Sequence, residues 1–144
     1  MFKRILIPTD GSDITTKAVE TGIALARSLQ AQLHTISGKE PFPYSAISEM
    51  QPMPPQDFFD AQERIATKRV HAVVELAHAA GMKCEAYTVE ALHPWEAIIA
   101  HAQRSECDLL VMASHGRRGV SALLLGSETQ KVLTHSSIPV LVVR

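Results

Sequence analysis

The run Ser114-His115-Gly116-Arg117-Arg118-Gly119, followed at a distance by Gly126-Ser127, holds the residue types that anion binding needs. Gly116 and Gly119 allow backbone to approach a ligand closely, and Arg117 and Arg118 supply cationic donors. Gly126 and Ser127 stand just ahead of a helical pattern, where unpaired N–H groups and the positive dipole end attract phosphate. Ser127 and Gln130 also have capping-box spacing, a structural role compatible with a phosphate contact. The spacing is neither the GxxxxGKS/T of a P-loop nor the GxGxxG of dinucleotide-binding folds. A second cluster, Pro8-Thr9-Asp10-Gly11-Ser12, sets a carboxylate among hydroxyls. Asp10 could accept hydrogen bonds from a ribose or help hold a metal ion. With Ser12 it could instead simply cap the helix that follows.

Other reactive side chains carry less. Ser114 beside His115 suggests a nucleophile and base, but neighbours at a strand end are expected to point apart, and no carboxylate is placed to orient the imidazole. Of the seven histidines, only His71 and His78 share a predicted helix face, two turns apart and too distant for one ion. Cys84 and Cys107 show no metal-type spacing and read as reduced thiols.

The elements that position these residues alternate regularly. A strand over Phe2 to Ile7 ends at the Pro8–Ser12 turn cluster, and Ala18, Gly22, Leu25, Ala26 and Leu29 mark one face of a helix. A second strand spans about Ala31 to Ser37. The stretch from Lys39 to Gln56, with five prolines, reads as a long loop. A helix from near Asp57 shows an apolar stripe of Phe58, Ile65, Val73, Leu76 and Ala80, with Gly81 as its stop. Lys83 to Val89 is the third strand. His93-Pro94 opens a helix with Trp95, Ile98, Ile99 and Ala102 on a core face, and Asp108 to Ala113 reads as a strand buried on both faces. A helix over Ser127 to His135 and a strand over Ile138 to Val143 complete the chain. This order predicts one α/β domain over residues 1–144, a doubly wound, five-stranded parallel sheet with helices on both faces. In such a sheet, ligands bind outside the carboxyl ends of the strands, so the loops after strands one and four are the ones expected to bind.

Composition bounds the rest. At 144 residues, with 46% hydrophobic and 20% charged residues, the chain suits a single globular domain. A net charge of −1 gives no general attraction to nucleic acid or anionic lipid, so neither is expected as a partner. No apolar run approaches the roughly 20 residues of a membrane span. The apolar stretch ahead of Pro8 is too short for a signal peptide, and a cytoplasmic location is expected.

The opening ILIPTDGS, the segment VMASHGRRGVSALLLGSETQKVL and the ending SSIPVLVVR closely resemble the universal stress protein family. Its nucleotide-binding members carry Gly, two residues, Gly, nine residues, then Gly and Ser or Thr. Here Gly116, nine intervening residues, Gly126 and Ser127 fit, and Ala113 replaces the first glycine. The resemblance covers nearly the whole chain, least in the proline-rich loop. It implies a Rossmann-like fold with sheet order 3-2-1-4-5 and an adenine nucleotide, ATP or AMP, as ligand, with Mg through Asp10 if it is ATP. It places Pro8, Thr9 and Asp10 near adenine and ribose, Ser37 and Gly38 beside the base, and Met112 and Ala113 on the ribose side. Ser114, His115, Gly116 and Arg117 would begin the phosphate loop, and Gly126, Ser127, Glu128 and Thr129 would hold phosphates through backbone N–H groups. Gly38 stands where a bulkier apolar residue is often found.

The resemblance also implies a homodimer paired through the C-terminal strand. Edge alternation then predicts Val140 and Val142 at the interface and Leu141 in the domain's own core or on the opposite face. No residue is obviously placed as a general base, so a stress-response or signalling module with at most slow ATP hydrolysis is expected, working with a protein partner that the residues do not identify. The alternatives are a dimeric interaction module that binds no nucleotide, and an adenylating or pyrophosphate-releasing enzyme.

Overall fold

The computed structural model describes residues 1–43, 55–116 and 125–144. Its elements are β1 (Arg4–Pro8), α1 (Asp13–Leu29), β2 (Gln32–Lys39), α2 (Gln56–Ala79), β3 (Cys84–Glu90), α3 (Pro94–Arg104), β4 (Leu109–Ala113), α4 (Ser127–His135) and β5 (Val140–Val143). Among the described residues the five strands form one sheet in the order β3-β2-β1-β4-β5, with every pairing parallel. The central part of the proline-rich loop lies outside the described residues, as do Arg117, Arg118 and Gly119.

The apolar runs of β1 and β4 are continuous because both faces of the sheet are covered. Ile5, Ile7, Leu33 and Val111 pack with Val19, Ile23 and Ala26 of α1 and Val73 and Ala77 of α2. On the opposite face Leu6, Ile36, Leu110 and Met112 pack with Ile98 and Ala102 of α3 and Val132 of α4. Neighbours in one strand thus serve opposite layers, the period-2 rule of extended chain. Gly81, with φ 77, follows α2 in the left-handed region that favours glycine, and its N–H donates to His78 O at 2.9 Å. The two thiols are free and lie one in each layer. Burial pushes Cys84 up to about 12 and Cys107 up to about 11, so neither is a thiolate near neutral pH.

Two expectations need correction. The buried stripe of α2 is Ala66, Val70, Val73 and Ala77, whereas Ile65 and Leu76 are exposed. Alanines at the contact let α2 sit close to the sheet, and the larger side chains flank it. In β5, Leu141 is the exposed residue (39%), while Val140 packs against the α3–α4 layer and Val143 against the other. Leu141 is therefore not a core residue of the domain but lies on the face opposite Val140, the second of the two positions expected for it. Among the described residues the strand order makes β5 an edge, with β4 as its one neighbour.

Candidate functional site

The chain leaves β1 toward β2 and leaves β4 toward β5, so the crevice between the carboxyl ends of β1 and β4 is the switch point of the sheet. Asp10 organises its first wall. Asp10 Oδ1 accepts from Ser12 N–H at 2.9 Å, Ser12 Oγ–H at 2.6 Å and Thr15 Oγ1–H at 2.7 Å. Ser12 is the N-cap of α1, yet its hydroxyl makes no capping bond and is held by Asp10 and Thr15. Gly11, at φ 76, turns the chain here, and its N–H donates to Thr9 Oγ1 at 3.1 Å. Thr9 N–H continues the parallel ladder to Ile36 O at 2.9 Å. Asp10 and Thr15 form a fixed carboxylate–hydroxyl cluster that the sequence only half revealed. The signal for Thr15 was a hydroxyl five residues beyond Asp10.

The second wall is the end of β4. Ser114 N–H donates to Val143 O and Ser114 O accepts from Gly126 N–H, both at 2.8 Å. Thr129 Oγ1–H donates to Ala113 O at 2.9 Å. These bonds pin the start of α4 to the end of β4. A Cβ on Gly126 would lie 2.9 Å from His115 Cα and 3.0 Å from its Cβ, so only glycine permits this approach. A Cβ on Gly116 would collide with Asp10 Oδ2. The two glycines thus bring the β1 loop, the β4 loop and the α4 N-terminus against one another.

Ser114 and His115 do not point apart. Ser114 Oγ and His115 Nδ1 are hydrogen-bonded at 3.1 Å, because β4 ends at Ala113 and strand alternation no longer applies beyond it. The capping box is also absent. Gly126, not Ser127, is the N-cap of α4, and Gln130 Nε2 reaches back to Leu125 O at 2.9 Å. Since Gly126 N–H is donated to Ser114, the first-turn N–H groups of Ser127, Glu128 and Thr129 are the donors that α4 offers. The Glu128 carboxylate would oppose an anion here, but it turns to α3, where Glu128 Oε2 accepts from Trp95 N–H at 2.8 Å. That bond supplies α3 with the N-terminal acceptor that its own N-cap His93 does not provide.

At the base side, Ser37 is 2% exposed and its Oγ has no hydrogen-bond partner among the described residues. Beside it, a Cβ on Gly38 would meet nothing nearer than Val89 O at 3.9 Å, so this end is open. Met112 and Ala113 are buried, with Met112 in the α3–α4 layer, which leaves their backbone as the surface they can offer. Pro8 is half-buried at the end of β1. A buried hydroxyl lacking a partner among the described residues, one glycine closed by backbone, another closed by the Asp10 carboxylate, and a helix start with donors fit a nucleotide. For a metal ion, Asp10 Oδ1 is already taken by three donors. Among the described residues no group of three His, Cys, Asp or Glu could hold one.

Two concavities lie elsewhere. A groove of about 590 Å³ runs between α1 and α2, along Ile23, Arg27, Leu76 and Ala80, away from the strand ends. A cavity of about 220 Å³ beyond β2 and β3 is lined by Glu40, Asp60, Glu63 and Glu90 with Lys39, a balance that repels phosphate. Lys39 there is engaged by Glu63 at 2.7 Å. Neither concavity coincides with the switch-point crevice.

Comparison with known proteins agrees with this architecture. Residues 1–144 match the model of the universal stress protein family. The universal stress protein YxiE of Bacillus subtilis is 32% identical over 148 residues, spanning 100% of both chains. Universal stress protein UspA from Lactobacillus plantarum superposes with a TM-score of 0.83 at 22% identity, over 99% of this chain and 98% of that one. A universal stress protein in complex with cAMP superposes with a TM-score of 0.70 at 25% identity, over 99% and 97%. Matched along its entire length by the family model and by a relative at this identity, the chain belongs to the universal stress protein family.

Proposed function

We propose that the protein binds an adenine nucleotide, ATP or AMP, at the β1–β4 crevice and acts as a homodimeric stress-response or signalling module in the cytoplasm. The observation that carries this is the convergence of Gly116 on Asp10 and of Gly126 on His115, which leaves the Ser127, Glu128 and Thr129 N–H groups at the switch point. A family member of the same fold in complex with cAMP supports an adenine nucleotide as the ligand class. Ser127, Glu128 and Thr129 hold phosphate, Thr9 and Asp10 meet the ribose, and Ser37 and Gly38 border the base. Any Mg comes in with the ATP phosphates.

Hydrolysis is at most slow. The one imidazole in the described part of the site, His115, is bonded to a hydroxyl, and among the described residues no carboxylate hydrogen-bonds it. Two buried thiols of raised pKa suit a reducing compartment. The exposed Leu141 on the edge strand β5 supports pairing with a second copy. Mass spectrometry of small molecules released on denaturing freshly purified protein, with calorimetric titration of ATP and AMP, tests the ligand. Failure of every adenine nucleotide to bind would leave the interaction module as the function. An acyl or amino-acid adenylate would point to the enzyme.

A further inference from the structure

On the α3 side of the sheet, away from the crevice, three rings from three elements lie together. His34 of β2 stacks on Tyr87 of β3, with centroids 5.6 Å apart and planes at 19°. Tyr87 meets His101 of α3 at 4.2 Å, and the two imidazoles are 6.1 Å apart. His34 is 6% exposed and His101 5%. His101 Nε2 is hydrogen-bonded to Ser105 Oγ at 3.2 Å, whereas His34 Nδ1 has no partner among the described residues. Two buried histidines on facing elements, bridged by an aromatic ring, are costly to charge: an imidazolium must donate from both nitrogens, and two would repel each other.

We propose that this His34–Tyr87–His101 stack is a proton-sensitive latch that holds α3 on the sheet, and that acidification through the ordinary imidazole range releases it.

The surrounding charges support the latch. Burial holds both imidazoles below their usual value, and the attraction of Glu85 for His34 does not reverse this. From β3, Glu85 faces His34, but its carboxylate already accepts from Tyr87 Oη–H at 2.7 Å. From β1, Arg4 adds positive charge near His34, and its guanidinium is bound to Gln32 Oε1 and Ser105 O. From α3, Arg104 adds positive charge near His101. Cys107, which precedes β4, interacts with Tyr87 and is held as a neutral thiol by burial. The charged form thus gains one partly engaged carboxylate and meets two guanidiniums.

The sign follows. Both histidines are depressed in the folded protein, so the unfolded chain binds more protons once the pH drops below about 6.5, the free histidine value. Stability is fully present above that pH and is lost as pH falls toward the folded values. Relief comes by moving α3 away from Tyr87. Because Glu128 of α4 holds the N-terminus of α3 at Trp95, release of α3 also loosens the start of α4. This inference concerns stability and does not depend on nucleotide binding.

Hydrogen exchange of the full chain tests it. Protection of the α3 amides, corrected for the intrinsic pH effect and compared with β1, should fall about tenfold or more between pH 7.5 and pH 5. The double variant His34→Phe with His101→Leu should lose that dependence. A variant retaining it would overturn the latch. Should the variant fail to fold, imidazole NMR titration of the wild type decides. Midpoints below the free value with concurrent α3 exchange support the latch, and two normal titrations with α3 unchanged overturn it.

Discussion

Replacing Gly126 by alanine adds one methyl group where no space exists. Its Cβ would sit 2.9 Å from His115 Cα and 3.0 Å from His115 Cβ, against the roughly 3.5–4.0 Å at which carbon atoms rest. The neighbour is backbone, not the free end of a side chain, so the His115 segment must retreat by about half an ångström or more. The Gly126 N–H bond to Ser114 O, 2.8 Å long, would then stretch toward the limit of a useful hydrogen bond, about 3.2 Å. Overpacking of this kind costs about 1–3 kcal/mol, and each kcal/mol lowers Tm by about 4 °C for a domain of this size. The shift also displaces the α4 N-terminus, and losing one N–H bond from its first turn to a charged phosphate costs a further ~1.5–3 kcal/mol of binding, or about 10–100-fold in affinity. Calorimetric titration with ATP and a thermal melt on the same preparation measure both. Gly22→Ala is the control, since its Cβ would press on Ile7 Cδ1 at 2.5 Å and Ile7 Cγ1 at 3.0 Å, inside the core and away from the crevice. It should lower Tm while leaving nucleotide affinity within about twofold. A folded Gly126→Ala protein with wild-type affinity would refute the placement of phosphate at α4.

Three further outcomes are expected. Steady-state ATP turnover should lie far below the enzyme median of roughly 10 per second; a rate near it would identify an enzyme. Gly38→Val should tighten ATP binding by about three- to tenfold, since it adds apolar surface worth roughly 1 kcal/mol at an open position beside the base; unchanged titration would place the base elsewhere. Light scattering should report a dimer for the wild type and a monomer for Leu141→Lys, with the melting temperature of each protein recorded alongside. A monomeric wild type, or a folded variant that stays dimeric, would remove β5 from the interface.

Much of the architecture was legible because it rests on short-range patterns. The apolar runs of β1 and β4 mark strands covered on both faces, Pro94 marks the first residue of α3, and α4 runs from Ser127 to His135 as its periodicity predicts. The two segments that meet at the switch point were visible as well, since Asp10, Gly116 and Gly126 follow strands one and four in any doubly wound sheet. The tertiary structure decided which side of each element finds a partner. Periodicity makes Ile65 and Leu76 look like core, but the layer that α2 covers accepts only the narrower stripe through Ala66 and Ala77. Alternation along β5 cannot tell which face stays open at a sheet edge, and it is Leu141 that does. Gly126 likewise reads as a phosphate contact, yet it is the approach of the His115 backbone, eleven residues earlier in the chain, that requires glycine there. Contacts between residues distant in sequence, such as Trp95 with Glu128 or His34 with His101, leave no local periodicity, and only packing creates them.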